Sequence, residues 1–272
     1  MLQDKKIGFI GGGAMAEALI RGMLKAELVS AGQITINDVS NERLSYLKST
    51  YDMNISLDSQ DIASRADILF LTVKPQILNN VLDTIAPVVA KTTIVISVAA
   101  GAKILTLQSK MPGVPIVRVM PNTPVAVGEG MSAIALGKYA GAGTGEVAAA
   151  IFSSVGRVVT VDESSMDAVT GLSGSGPAYV FVLIDALADA GVRVGFSRQN
   201  ALLLAAQTLL GSAKMVLETG EHPAKLRDMV TSPGGTSIAG VHMLEQKGVR
   251  AALIDAVMVA THRSQEMGKK DK

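Results

Sequence analysis

Lys6-Ile7-Gly8-Phe9-Ile10-Gly11-Gly12-Gly13-Ala14-Met15-Ala16 stands near the start of the chain. A β-branched run enters a glycine turn and leaves it as an apolar-periodic helix. Gly11, Gly13 and Ala16 fit G-x-G-x-x-A, the turn that cradles the pyrophosphate of a dinucleotide. Gly11 permits the tight turn, Gly13 lets the backbone approach the phosphates, and small Ala16 lets the helix pack closely on the strand. Free amides and the helix dipole then favour an anion. Alone the pattern is weak, and an ordinary glycine-rich strand–helix turn competes with it. Its place between a strand and a helix at the chain start strengthens it.

Working outward, strand signals recur at Ile34–Asn37, Ile68–Val73, Thr93–Val98, Ile116–Met120, Ala133–Leu136 and Val158–Val161. Apolar-periodic segments such as Ala14–Lys25 and Gln76–Val89 lie between many of them. Near-continuous apolar strands alternating with helices predict an α/β fold, a parallel sheet covered on both faces. After Asp162 the strand signals stop, and Asp167–Ala190, Arg198–Glu218 and Ile238–Met267 read as helices. We expect a Rossmann-type domain over 1–162 and an all-α domain over 163–272. Ala178–Ala190 and Ala201–Leu210 are apolar around most of the helix and must be buried. A small domain offers little interior of its own, so a homodimer or a higher homo-oligomer is expected; packing on the sheet domain alone is the simpler competing account.

Composition narrows the classes. Of 272 residues, 48% are hydrophobic and 18% charged, which excludes a disordered chain. Twenty-five basic and 24 acidic residues leave a net charge of +1, against a nucleic-acid surface. Cysteine is absent, and the three histidines, His222, His242 and His262, are isolated, so no metal-ligand signature appears. No run of 18 or more uncharged apolar residues reads well as a membrane span; Val169–Ile184 comes nearest and carries three glycines and Pro177. The expectation is a cytoplasmic protein without membrane, metal or nucleic-acid partners.

Strand ends are where open α/β sheets bind ligands. Asp38, after Asn37, could bond adenosine ribose hydroxyls as for NAD(H), or cap the next helix. Arg43 is close enough in sequence to attract the 2′-phosphate of NADP(H). Val73-Lys74-Pro75, Ala99-Ala100-Gly101 and Pro121-Asn122 end later strands with small or rigid residues, a surface suited to a nicotinamide ring. In the helical half, Gly171, Gly174 and Gly176 allow close backbone contact, whether for a ligand or for helix packing. Thr231-Ser232-Pro233-Gly234-Gly235-Thr236-Ser237 combines consecutive amides and hydroxyls at a helix start, an anion nest suited to a carboxylate; a plain helix cap is the alternative.

Five pieces together resemble the pyrroline-5-carboxylate reductases over essentially the whole chain: Gly8–Ala16, Val73–Gln76, Met120–Pro124, Thr170–Tyr179 and Ser232–Ser237. The resemblance implies reduction of the C=N bond of 1-pyrroline-5-carboxylate to L-proline by NADH or NADPH, the last step of proline biosynthesis, in intertwined dimers that often assemble further. It implies that Gly11, Gly13, Ala14, Met15, Asn37, Asp38, Ser59, Val73, Lys74, Pro75, Ala99, Ala100, Gly101, Pro121 and Asn122 bind cofactor. Ser232, Gly234, Gly235, Thr236 and Ser237 would bind the small-molecule substrate, with Glu163 nearby; Ser175, with Gly176 and Pro177, would shape the pocket. Three positions depart from the family pattern. Asp38 stands where arginine commonly meets the 2′-phosphate, Ser59 where asparagine is frequent, and Ser237 where threonine is usual.

Hydride transfer to a protonated imine needs positioning more than a strong acid. Ser237, or a water it holds, is the candidate to hydrogen-bond the ring nitrogen. A β-hydroxyacid dehydrogenase is the nearest alternative, but Val180 and Ile184 occupy the positions of its lysine and asparagine. A reductase of another cyclic imine, or a nucleotide-sensing protein without turnover, are the other readings.

Overall fold

A computed structural model of the chain describes residues Leu2 to Gly268. Met1 and residues 269–272, the outermost ends of the two expected domains, lie outside them. Two compact units emerge: Met1–Gly174 with Ala260–Lys272, and Ser175–Val259.

The first unit is built on eight strands: β1 (Ile7–Ile10), β2 (Ile34–Asn37), β3 (Asn54–Ile55), β4 (Ile68–Leu71), β5 (Ile94–Ser97), β6 (Ile116–Met120), β7 (Gly130–Leu136) and β8 (Gly156–Thr160). They form one sheet in the order β3-β2-β1-β4-β5-β6-β7-β8. Its helices are α1 (Ala14–Lys25), α2 (Asn41–Tyr51), α3 (Ser59–Arg65), α4 (Pro75–Ile85), α5 (Ile104–Lys110), α6 (Ala142–Ser153) and α7 (Met166–Val169). Strand alternation divides the core. Phe9 and Phe70, fully buried and stacked with centroids 4.4 Å apart, join Leu19, Met23, Leu47 and Phe152 on one face. Ile10, Leu69 and Leu71 join Ile62, Leu82 and Leu107 on the other.

One expectation is corrected. The sheet is parallel except at β6 and β7, which pair antiparallel. A parallel return needs a crossover of about a dozen residues or more, usually a helix. The segment between Met120 and Gly130 is shorter and holds only a 3-10 turn over Thr123–Val127, so β7 must come straight back.

The second unit is helical: α8 (Gly176–Arg193), α9 (Arg198–Thr219), α10 (Pro223–Met229), α11 (Thr236–Gln246) and the first part of α12 (Val249–Met267). α8 and α9 cross on small residues. Ala188, Ala201 and Ala205 are buried there, and a Cβ on Gly191 would come within 2.8 Å of that of Ala201. The long helices expected from periodicity are interrupted twice. Thr170–Gly174 widens into a π-helical turn ahead of Gly176-Pro177. Gly248, at φ +72°, ends α11 before α12 begins.

Candidate functional site

The predicted cofactor residues gather along one rim of the first unit. Ile10 lies beside Asn37 on one side and Leu71 on the other, and Leu71 beside Ser97. The carboxyl ends of β2, β1, β4 and β5 are therefore level, and each runs into a predicted segment. β1 sits between β2 and β4, the crevice where chain order reverses and dinucleotides bind.

Gly11 has φ +103°, and a Cβ there would meet the Thr72 backbone at 2.9 Å. Its N–H donates to the Asn37 carbonyl at 2.8 Å, and the Thr72 hydroxyl donates to the Gly11 carbonyl at 2.7 Å. Thr72 thus clamps the turn, a role not read from the sequence; its hydroxyl at the end of an apolar strand is the signal. Gly13 has open space around its would-be Cβ. α1 opens on Gly13 with no side-chain cap, so no side chain takes the amides of its first turn in place of a phosphate. Ala16 is fully buried. The turn thus fits a dinucleotide.

Asp38 is drawn inward. Its Oδ2 accepts from the Gly12 N–H at 2.7 Å and its Oδ1 from the Ser40 N–H at 2.9 Å. It does not cap α2; Ser40 does, accepting from the Arg43 N–H at 3.2 Å. Arg43 is engaged as well: Nε donates to the Gly12 carbonyl at 2.6 Å, and Nη2 pairs with Glu17. The Tyr51 and Tyr46 hydroxyls donate to the other Glu17 oxygen at 2.9 and 3.1 Å. Burial works against ionisation of Glu17, but the bonds from Arg43, Tyr51 and Tyr46 outweigh it and hold the carboxyl below its usual range. Burial, and then the bond to Glu17, push the Tyr51 phenol up.

Other predicted residues fall at element starts. Ser59 opens α3 behind Asp58, whose side chain accepts from the Gln60 N–H. Lys74 precedes α4, with Pro75 as its first residue and Val73 just before. Ala99 is buried, Ala100 half-buried, and Gly101 follows. With Pro75 and Lys103, Ala100 and Gly101 line a small cavity of about 120 Å³. Pro121 is buried. Asn122 bridges two segments: Oδ1 accepts from the Met131 N–H at 2.8 Å, and Nδ2 donates to the Ser173 carbonyl at 3.1 Å. Glu163 lies in this unit, and its Oε1 accepts from the Ile104 N–H at 2.6 Å and from Arg118 at 3.2 Å.

In the second unit, Ser175 precedes α8. The Gly235 N–H donates to the Ser232 carbonyl at 3.1 Å, closing a turn in which Gly234 has φ +67°. A Cβ on Gly235 would strike Ser232 Oγ at 2.4 Å. The turn delivers the exposed Thr236 and Ser237 as the first residues of α11, whose start carries no side-chain cap. An anion can take those amides.

A mostly parallel sheet whose crevice opens on an uncapped glycine turn is the architecture of a nicotinamide-dinucleotide oxidoreductase. Comparison with known proteins refines this. Residues 163–267 match the family model described as pyrroline-5-carboxylate reductase dimerisation, and residues 6–101 match one described as NADP oxidoreductase, coenzyme F420-dependent. The chain is 48% identical to a pyrroline-5-carboxylate reductase of Methanosarcina acetivorans over 99% of this chain and 100% of that one. It is 44% identical to one of Arabidopsis thaliana, over 97% and 96%. A solved reductase of Coxiella burnetii superposes with a TM-score of 0.92 at 32% identity, covering 97% of this chain and 98% of the other. A Plasmodium falciparum one with NADP bound gives 0.86 at 33%, covering 98% and 99%. The chain belongs to the pyrroline-5-carboxylate reductase family.

The dimerisation match bears on the helical half. Leu202, Leu203, Leu204, Leu210 and Leu217 of α9 are exposed in the single chain. Glu163–Arg193 and Arg198–Thr219 are long and apolar enough to pass as membrane spans by length and composition alone, a test that the helices of a soluble protein also pass. Both lie within the residues matched by the dimerisation model.

Proposed function

We propose that this protein reduces the carbon–nitrogen double bond of 1-pyrroline-5-carboxylate to L-proline with NADH or NADPH, the last step of proline biosynthesis, as a cytoplasmic homodimer or higher homo-oligomer. We divide it functionally into a cofactor-binding domain over 1–162 and a substrate-binding and oligomerisation domain over 163–272. The observation that carries the reading is the Ser232–Ser237 turn, whose geometry presents uncapped amides and two hydroxyls to a carboxylate.

The reduced nicotinamide supplies a hydride. The protonated imine carbon accepts that electron pair, the C=N π electrons move to nitrogen, and the amine keeps the proton already there. The protein's work is therefore placement. Amides at Thr236 and Ser237 take the carboxylate, Ser232, Gly234 and Gly235 shape the turn that presents them, and the Ser237 hydroxyl, directly or through a water, holds the ring nitrogen. Gly11, Gly13, Ala14 and Met15 receive the pyrophosphate. Asn37, Asp38 and Ser59 lie toward the adenosine. Val73, Lys74, Pro75, Ala99, Ala100, Gly101, Pro121 and Asn122 form the rim against which the nicotinamide half is held. Ser175 borders the substrate. Glu163 acts by fixing the loop before α5.

Loss of reduced-nicotinamide absorbance on adding racemic pyrroline-5-carboxylate, with L-proline formed, is the expected result. No oxidation by folded protein that binds cofactor defeats the proposal and favours another cyclic imine acid as substrate.

A further inference from the structure

The adenosine end of the cofactor site carries a selectivity that the family relationship does not decide. We propose that Asp38 and Glu17 together make this reductase NADH-selective, Asp38 by repelling a 2′-phosphate and Glu17 by neutralising the arginine that could receive one. This rests on reading the chain as a nicotinamide-dependent reductase.

A 2′-phosphate brings a charge of about −1.5 to −2 at neutral pH. It needs an unengaged cation, best a guanidinium fork. The segment after β2 reads Asp38-Val39-Ser40-Asn41-Glu42-Arg43, and Arg43 is its only cation. That guanidinium is already committed. One edge donates to the Gly12 carbonyl, another nitrogen pairs with Glu17, and the Tyr46 ring lies 5.1 Å from its centre. Glu17 is held in turn by two tyrosine hydroxyls from α2. To bind a 2′-phosphate, Arg43 must leave a matched carboxylate.

Asp38 acts in the same direction. Its two backbone bonds, from Gly12 and Ser40, fix the carboxylate beside the glycine turn. An ionised carboxylate has about four acceptor sites, so lone pairs remain for a ribose diol. The anion that accepts two hydroxyls repels a phosphate in their place, and neighbouring Glu42 adds to the negative field.

The test uses ADP-ribose and 2′-phospho-ADP-ribose, which carry only the adenosine half and make no product. Calorimetric titration of the purified enzyme should give tighter binding of ADP-ribose by roughly tenfold or more. Equal or tighter binding of the phosphorylated ligand overturns the proposal. Asp38→Asn should narrow the gap. Glu17→Gln should strengthen binding of the phosphorylated ligand, and adding Arg43→Ala should abolish that gain; a Glu17→Gln protein with unchanged affinities refutes the part given to Glu17. Should Glu17→Gln not fold, Arg43→Ala alone decides. Little change in 2′-phospho-ADP-ribose affinity supports the proposal, and a selective loss of it overturns it. If neither ligand binds folded wild-type protein, the dinucleotide site itself is misassigned and the selectivity falls with it.

Discussion

Arg118 and Glu163 form an ion pair at 3.2 Å, from β6 to the segment that follows β8. The guanidinium is almost wholly buried, with 7% of its side chain exposed, while Glu163 is a third exposed. The same Glu163 oxygen accepts from the first amide of α5. Removing one partner of a buried pair leaves a charge without compensation. Glu163→Ala should therefore lower stability by about 3 kcal/mol, seen as an earlier urea midpoint with an unchanged slope. A fall in activity with unaltered stability would instead make Glu163 a substrate ligand.

Gly11 and Gly13 should separate in their effects. Gly13 has ordinary backbone angles and open space around it. Gly13→Ala should leave the melting temperature unchanged but weaken dinucleotide binding by about tenfold, as a methyl group obstructs the phosphates. Gly11→Ala meets both positive φ and the Thr72 backbone, so it should lose stability as well, by about 1–3 kcal/mol. Thermal melts and cofactor titration of the two variants check both statements.

Ser237→Ala removes one hydroxyl from the start of α11 and leaves the amides. We expect a loss in kcat/KM of about tenfold, the value of one hydrogen bond of about 1.4 kcal/mol. NADH affinity should not change. Unaltered steady-state kinetics would remove Ser237 from the mechanism.

The Glu17 cluster predicts a pH effect. Its carboxyl in the folded chain titrates below the ordinary 4.5. The stabilisation it gives is fully present above that value and is lost as pH falls through the lower folded value. Glu17→Gln should show a shallower loss of stability below pH 4.5 than the wild type. Urea midpoints measured through that range should converge toward acid; parallel curves would contradict the assignment.

Much of the first unit was legible because its signals are local. β1, β2 and β6 and helix α1 fall on the residues that periodicity picks out. β3 was not, because a two-residue edge strand is too short to carry a pattern. α10 was missed although His222-Pro223 marks its start. The antiparallel β7 follows from a short connection that periodicity does not weigh. Asp38 and Asn122 were proposed as site residues from their positions after strands. Partners that position does not reveal hold them: Asp38 bonds the glycine turn, and Asn122 bonds nearby Met131 and distant Ser173.

Sequence by itself determined the alternation of strands and helices, the glycine turn and the Ser232–Ser237 turn, because each depends on residues within a few positions of one another. Tertiary structure alone decided what the charged groups do. Arg43 came from sequence as a candidate phosphate ligand and proves to be matched by Glu17. Glu163, expected near the substrate, holds Arg118 and the start of α5. A side chain's charge is written in the sequence, but what neutralises it is set by folding, which brings together groups that lie far apart along the chain.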